Sequence, residues 1–189
     1  MDLTAFAEAL RGSAISEWMR GSLVALPIIE SIHVMAVATV FGTILIVDLR
    51  LMGLTDTNRP FTRVFREILK FTWIGFAVAV PTGVLLFMPN AHTYVVNTAF
   101  KLKLLALVAA GINMAVFEFT VLKRVAEWDT VVPVPRSARM AGIASLVIWT
   151  AVIVFGRWIG FTKGYDYTVP DDIQFDFGSL IQSIQTFLS

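Results

Sequence analysis

Four apolar runs, each about as long as a bilayer is thick, constrain this chain more than any other feature. A hydrocarbon core about 30 Å across takes roughly 20 residues of helix. Residues 22–48, 70–89, 99–121 and 140–162 each supply that length with few charges. Of the 189 residues, 57% are hydrophobic and 15% charged, and the mean hydropathy is +0.74, well above that of a soluble domain. The expected fold is therefore all-α, an integral membrane four-helix bundle in direct contact with the lipid bilayer, forming a single domain over residues 1–189.

The formal net charge is only +1, but its distribution sets an orientation. Arg50, Arg59, Arg63, Arg66 and Lys70 lie between the first two runs, and Lys123, Arg124, Arg136 and Arg139 between the last two. The link Pro89–Asn97 has no Lys or Arg, and the segment after Lys163 carries Asp166, Asp171, Asp172 and Asp176. Basic loops stay on the cytoplasmic side. The expectation is a multi-pass protein of the bacterial inner membrane with both termini on the periplasmic side. Asp2, Glu8 and Glu17 do not fit a cleavable signal peptide, so the first span acts as its own targeting signal.

Both ends read as amphipathic rather than spanning. Leu3, Phe6, Leu10, Ile15, Trp18 and Met19 form one face of a broken helix over 1–20, suited to the interface. Within 170–189, Phe177, Leu180, Ile181, Ile184, Phe187 and Leu188 repeat the pattern, a tail suited to covering the bundle or a partner. Small residues mark where helices approach in lipid. Span 2 offers Thr72, Gly75, Ala79 and Gly83, and span 4 offers Gly142, Ser145, Gly156 and Gly160, while Pro27 and Pro81 are candidate kinks. On span 3, Lys103, Ala106, Ala110, Asn113 and Met114 share an inner face; Lys101, Leu104, Leu105, Val108 and Ile112 share a lipid face.

Four polar residues converge on the outer half. Glu30 and His33 lie one turn apart on span 1, roughly 12 and 16 Å from its outer end, and Lys103 and Arg157 lie roughly 8 Å deep on spans 3 and 4. An ionisable group at membrane depth costs about 2.5–3.5 kcal/mol and is usually paired or lines a cavity. Two cations against one carboxylate leave positive charge to hold an anionic group or a cofactor bearing carboxylates. The competing reading is a latch, with Glu30 neutralising Lys103 or Arg157 and His33 bonded to a backbone carbonyl. His92, in the outer link, reads as solvent-facing. Asp48 is expected to pair with a basic residue of the following loop, and Glu118 to reach toward Lys123 or Arg124. The chain has no cysteine, so a metal site must draw on His, Met, carboxylate or a cofactor.

The strings Glu30-Ser-Ile-His33, Asp48-Leu-Arg50-Leu-Met-Gly53, Asn97-Thr-Ala-Phe100-Lys-Leu-Lys103 and Asn113 resemble an uncharacterised bacterial family of four-span membrane proteins. More distantly they resemble the superfamily of the CopD copper-resistance domain and the HemJ-type protoporphyrinogen oxidases. These share an early His in the first span, an Arg just past its inner end and Lys-Leu opening the third, here His33, Arg50 and Lys103. The resemblance implies haem b with His33 as axial metal ligand and Lys103 beside the tetrapyrrole. This chain lacks the aromatic pattern that follows the first-span His in HemJ, and it has no second transmembrane His.

The leading expectation is a membrane haem-b-binding protein of redox or electron-transfer type. In it His33 holds iron, Lys103 and Arg157 neutralise propionates and Glu30 orients them. Two alternatives stand beside it: copper or proton transport through Glu30 and His33, and a non-catalytic accessory subunit of a homo-oligomer or larger membrane complex. Nucleic-acid binding, hydrolysis and nucleotide use have no support, since there is no phosphate-binding glycine loop and no exposed nucleophile with a His partner.

Overall fold

The computed structural model describes residues 3–55, 58–130 and 134–162, and the amphipathic tail expected over 170–189 lies outside them. The elements are α1 (Leu3–Arg11), α2 (Ala14–Gly21), α3 (Ala25–Leu51), α4 (Phe61–Phe87), α5 (Ala91–Val96), α6 (Thr98–Val116), α7 (Val125–Trp128) and α8 (Arg136–Thr162). No strand occurs among the described residues. Four stretches are long and apolar enough to cross a membrane: Ala25–Leu51, Phe61–Val96, Thr98–Trp128 and Arg136–Thr162. This is an all-α, multi-pass membrane bundle. Its two ends are called here the His33 end and the Arg50 end.

The helices run further than apolar content alone predicts. α4 begins at Phe61, so Arg63, Arg66 and Lys70, expected between spans, lie on helix instead. Pro60 cannot cap that helix with a side chain; Asp129 does so from across the bundle. Its Oδ1 accepts from the Thr62 amide at 2.8 Å, its Oδ2 from the Thr62 hydroxyl at 2.8 Å, and its carbonyl from the Phe61 amide at 2.9 Å. Two orphan amides of a helix start and one side-chain hydroxyl are thus satisfied by one remote residue. Phe61, Phe65, Phe117 and Trp128 stack around this joint with ring centroids 5.1–6.4 Å apart. A π-helical turn, Phe117–Val121, follows α6 and carries both of its end residues into this buried cluster.

α3 ends where Gly53 takes φ 76°, with Leu54 N–H on the Leu49 carbonyl and Gly53 N–H on that of Arg50, a Schellman closure that needs a residue without Cβ. At the His33 end, Gly12 and Ser13 break the N-terminal helix in two. The Ser13 and Ser16 hydroxyls both donate to the Leu10 carbonyl at 2.7 Å, and Ser13 Oγ caps α2. Ala7, Ser16 and Met19 are buried where α1 and α2 pack on α5 and the 3₁₀ turn before it; Ile15 and Trp18 stay exposed. The expected interfacial segment is therefore docked onto the α4–α6 link.

α3 packs chiefly on α4, α6 on α8, and α3 on α8. Gly75 marks the close approach of α4 to α3: a Cβ there would lie 2.7 Å from Val40 Cγ2 and 3.3 Å from the Ala36 carbonyl oxygen. Thr72 Oγ1 donates to Thr43 Oγ1 at 2.9 Å beside this contact. Gly142 does the same for α8 against α3, with the Asp48 carbonyl oxygen and Leu51 Cβ each 3.0 Å from a Cβ placed there. Gly160, expected to be a packing residue, has open space instead. Pro27 falls in the first turn of α3, where an amide proton has no helical partner to lose. The inner and lipid faces assigned to α6 hold, except that Met114 is exposed.

Gly142→Ala is expected to destabilise the protein by about 1–3 kcal/mol, because backbone and Cβ atoms cannot yield as a flexible side-chain end can. Gly111→Ala, with nothing within 4 Å of the added methyl, is expected to leave stability unchanged or raised. Thermal unfolding in detergent, followed by circular dichroism, compares the two.

Candidate functional site

His33 lies on the α3 face turned to α4, half-buried. Its Nδ1 is 3.0 Å from Thr82 Oγ1. Thr82 in turn back-bonds along its own helix, to the Val78 carbonyl at 2.7 Å and toward that of Ala79 at 3.2 Å. The next residue, Gly83, is the floor of the ring's seat: a Cβ there would come within 3.1 Å of His33 Cε1 and 3.7 Å of Nδ1. Helix α4 therefore supplies both an anchor for one ring nitrogen and the space for the ring.

Lys103 comes from α6, whose start is well defined. Asn97 Oδ1 accepts from the Phe100 amide at 3.0 Å, while Asn97 Nδ2 donates to Thr162 Oγ1 at 2.9 Å, tying the first turn of α6 to the last turn of α8. From there the Lys103 arm runs across Gly156 of α8, its Cε and Nζ each 3.7 Å from a Cβ placed at that glycine. Burial is what acts on the ammonium, and no hydrogen-bonding or charged partner offsets it among the described residues. Its charge reaches His33, as does that of Glu30 with opposite sign.

Two of the four expected residues, His33 and Lys103, are thus half-buried at the same end of the bundle, one against α4 and the other against α8, and two are not. Glu30 and Arg157 are at the same end but exposed. The Arg157 guanidinium lies 5.4 Å from the Phe161 ring centroid. Counted from Ala25, Glu30 is roughly 8 Å and His33 roughly 12 Å along α3; Lys103 and Arg157 are each roughly 8 Å from the ends of α6 and α8. A helix of 27 residues is about 40 Å long and exceeds a 30 Å core, so Glu30 and Arg157 fall near the hydrocarbon boundary, within reach of headgroups. Neither needs a partner inside the bundle.

Other candidates are dispersed. His92, the second of only two histidines, is exposed on α5, its Nδ1 3.4 Å from Thr93 Oγ1. Of the methionines that accompany the histidines, Met35 and Met114 are 62% and 38% exposed, and Met88 lies in the 3₁₀ turn that follows α4. No group of three or more His, Asp or Glu side chains arranged to hold a metal ion exists among the described residues. Glu118 is exposed, and Lys123 lies over the Phe119 ring at 5.5 Å.

A second polar cluster occupies the Arg50 end. Asp48 and Arg50 are 3% and 1% exposed. Asp48 hydrogen-bonds Ser145 of α8 rather than a basic loop residue, because Gly142 lets α8 close over that side of α3. Arg50 Nη2 donates to the Arg59 carbonyl at 2.9 Å, which pins the α3–α4 connection, while Asp48 Oδ2 and Arg50 Nε and Nη1 have no hydrogen-bond partner among the described residues. Arg59 itself pairs with Glu67 at 2.6 Å.

A family model matches residues 16–162, the stretch holding His33, Lys103 and the Arg50 cluster. The chain belongs to DUF6644, a family of unknown function. No curated protein and no solved structure matches it. The matched stretch of this DUF6644 chain begins within α2 and ends with α8, so α1 falls outside it.

Sequence reasoning missed Thr82 and took Gly83 for a generic packing position. Pairing of Thr82 with His33 depends on the register of α3 against α4, which no spacing within either helix encodes. It also left Arg50 in a loop, where the structure buries it. For Lys103, a buried cation without a partner burdens the fold. Lys103→Met is therefore expected to raise the stability of the protein by about 1–2 kcal/mol, less than the roughly 2.5–3.5 kcal/mol cost of an ionisable group at the bilayer centre because Lys103 lies only about five residues from the start of α6. A fall in unfolding temperature instead would identify Lys103 as a structural latch.

Proposed function

We propose that this protein binds haem b at the His33 end of the bundle and serves a redox or electron-transfer role, with His33 as the axial ligand and Lys103 beside the tetrapyrrole. One observation carries the reading: a half-buried imidazole is anchored on α4, by the Thr82 hydroxyl at Nδ1 and by the Ala79 carbonyl, and a half-buried ammonium with no partner among the described residues adds its charge at the same end of the bundle. A ligating histidine is typically held in this way, its other ring nitrogen engaged by a neighbouring group. The resemblance of His33, Arg50 and Lys103 to the pattern shared by CopD and HemJ-type proteins points in the same direction.

The donor set fits such a group on the ligand side. His33 supplies one neutral nitrogen donor, and the Lys103 ammonium supplies the charge that a carboxylate substituent would neutralise. Haem b, when bound, supplies one-electron chemistry that side chains do not. The protein's own contribution is to orient the imidazole through Thr82 and Gly83, to hold a cation at depth through Gly156, and to exclude water by the packing of α3 on α4. Glu30 acts on His33 through its field from the surface, and Arg157 is placed to meet a propionate or headgroup at the boundary. In this reading the Arg50 end, with its cluster of Arg and Lys, faces the cytoplasm of a bacterium, and the His33 end and both termini face the periplasm.

Transport of copper or protons is less well supported. Between the His33 seat and the Asp48 cluster, Ala36, Val40 and Gly75 meet in a close approach of α3 to α4, and the hydroxyls beside it, Thr72 and Thr43, are bonded to each other.

Absorption spectra of detergent-purified protein from a haem-replete host, oxidised and dithionite-reduced, test the proposal against His33→Ala. A Soret band and reduced α and β bands are expected in the wild type, with loss of most of that absorbance in the variant. Well-folded wild-type protein with aromatic absorbance alone would overturn the haem reading; metal analysis would then separate copper handling from an accessory role.

A further inference from the structure

We infer that Thr82 is a positioning residue that holds His33 in the tautomer protonated at Nδ1, leaving Nε2 as the ring's lone-pair donor. The inference deepens the haem reading, and only its consequence for ligation rests on that reading; the tautomer itself does not.

A single hydroxyl proton decides the tautomer. Thr82 Oγ1 lies 2.7 Å from the Val78 carbonyl oxygen, the ordinary length of an O–H···O hydrogen bond. A carbonyl only accepts, so a proton must lie between these two atoms, and Thr82 alone can supply it. Were that proton turned toward His33, two oxygens bearing lone pairs would face each other at 2.7 Å with nothing between them. Oγ1 is therefore an acceptor toward His33, and the proton on the 3.0 Å link to Nδ1 belongs to the imidazole. The Ala79 carbonyl, 3.2 Å from the same hydroxyl and likewise acceptor-only, also bears on the ring.

Packing holds this arrangement in place. With Cε1 and Nδ1 set against Gly83, a half-turn of the ring would bring a carbon in place of Nδ1 onto the Thr82 hydroxyl and forfeit the only side-chain hydrogen bond the ring makes among the described residues. In a neutral imidazole one nitrogen donates and the other accepts, so Nε2 carries the lone pair. Back-bonding to α4 thus does more than satisfy Thr82. It transmits the polarity of a helix carbonyl through one hydroxyl to Nδ1–H, which raises the basicity of Nε2 as a ligand.

The test uses the full-length chain carrying His92→Gln, so that His33 is its single histidine, labelled with ¹⁵N-histidine and purified without added haem. Long-range ¹H–¹⁵N correlations above the titration range of imidazole read the tautomer directly. The Nδ1–H form is expected in this background and in Thr82→Ser, which keeps the hydroxyl. In Thr82→Val, of the same shape without the hydroxyl, the signal is expected to move to a mixture or to Nε2–H. An Nε2–H signal with Thr82 present, or no change in Thr82→Val, overturns the inference. In haem-loaded protein, Thr82→Val is expected to keep a Soret band but raise the midpoint potential, with recovery in Thr82→Ser. If no haem binds yet the tautomer responds as described, the haem reading fails and the role of Thr82 stands. If haem binds through His33 while the tautomer does not respond, the reverse holds.

Discussion

The close approach of α3 to α4 is the constraint on which the rest of the structure depends. In lipid there is no hydrophobic force between helices, so backbones must come near enough for dispersion and hydrogen bonding to act. Gly75 admits Val40 and the α3 backbone, and the Thr72–Thr43 bond fixes the register beside it. Two turns further along α4, that register places Thr82 and Gly83 under the His33 ring. The site is in this sense a by-product of packing: shift α4 by one residue and the imidazole loses both its anchor and its seat.

Where α3 meets α8 the geometry is different, and it decides which polar residues are inside. Glu30 and Asp48 are 18 residues apart, five full turns, and share an azimuth on α3. Yet one is exposed and the other 3% exposed. Gly142 draws α8 onto α3 beside Asp48, whereas Gly160, at the far end of α8, has nothing within 4 Å. Helix azimuth therefore predicts burial only over the stretch where a neighbour is in contact. Lys103 is half-buried at the His33 end for a separate reason: Gly156 removes the side chain that would otherwise occupy its path between α6 and α8.

The span count, the all-α class, the inner face of α6 and the role of Gly75 and Gly142 were legible in composition and spacing, because each follows from lengths and periodicities within one helix. The helical start at Phe61 was not, since its cap is Asp129, 67 residues beyond Thr62 in the chain. The depths of Glu30 and His33 were read about one turn too great because α3 begins at Ala25, three residues after the start of the apolar run. Within the site, His33 and Lys103 were legible as polar residues at membrane depth. Thr82 was hidden because a threonine in a helix usually satisfies itself on the preceding turn, and here it does so while also serving a second helix.

The two buried polar clusters differ in what they ask of their surroundings. At the Arg50 end, a cation and a carboxylate two residues apart on α3 each anchor a different neighbour, Arg50 the Arg59 carbonyl and Asp48 the hydroxyl of Ser145. Opposite charges lie there in equal number, and the atoms without protein partners are donors on one residue and an acceptor on the other. Such a set is balanced within itself, as a joint between three elements must be. At the His33 end, the interior holds an imidazole and an ammonium with no counter-charge beside them among the described residues, while the Glu30 carboxylate faces outward. A fold seldom retains an unbalanced cation for stability, because an apolar residue of the same length would serve better. The imbalance is the physical ground for placing function at His33 and Lys103 rather than at Asp48 and Arg50.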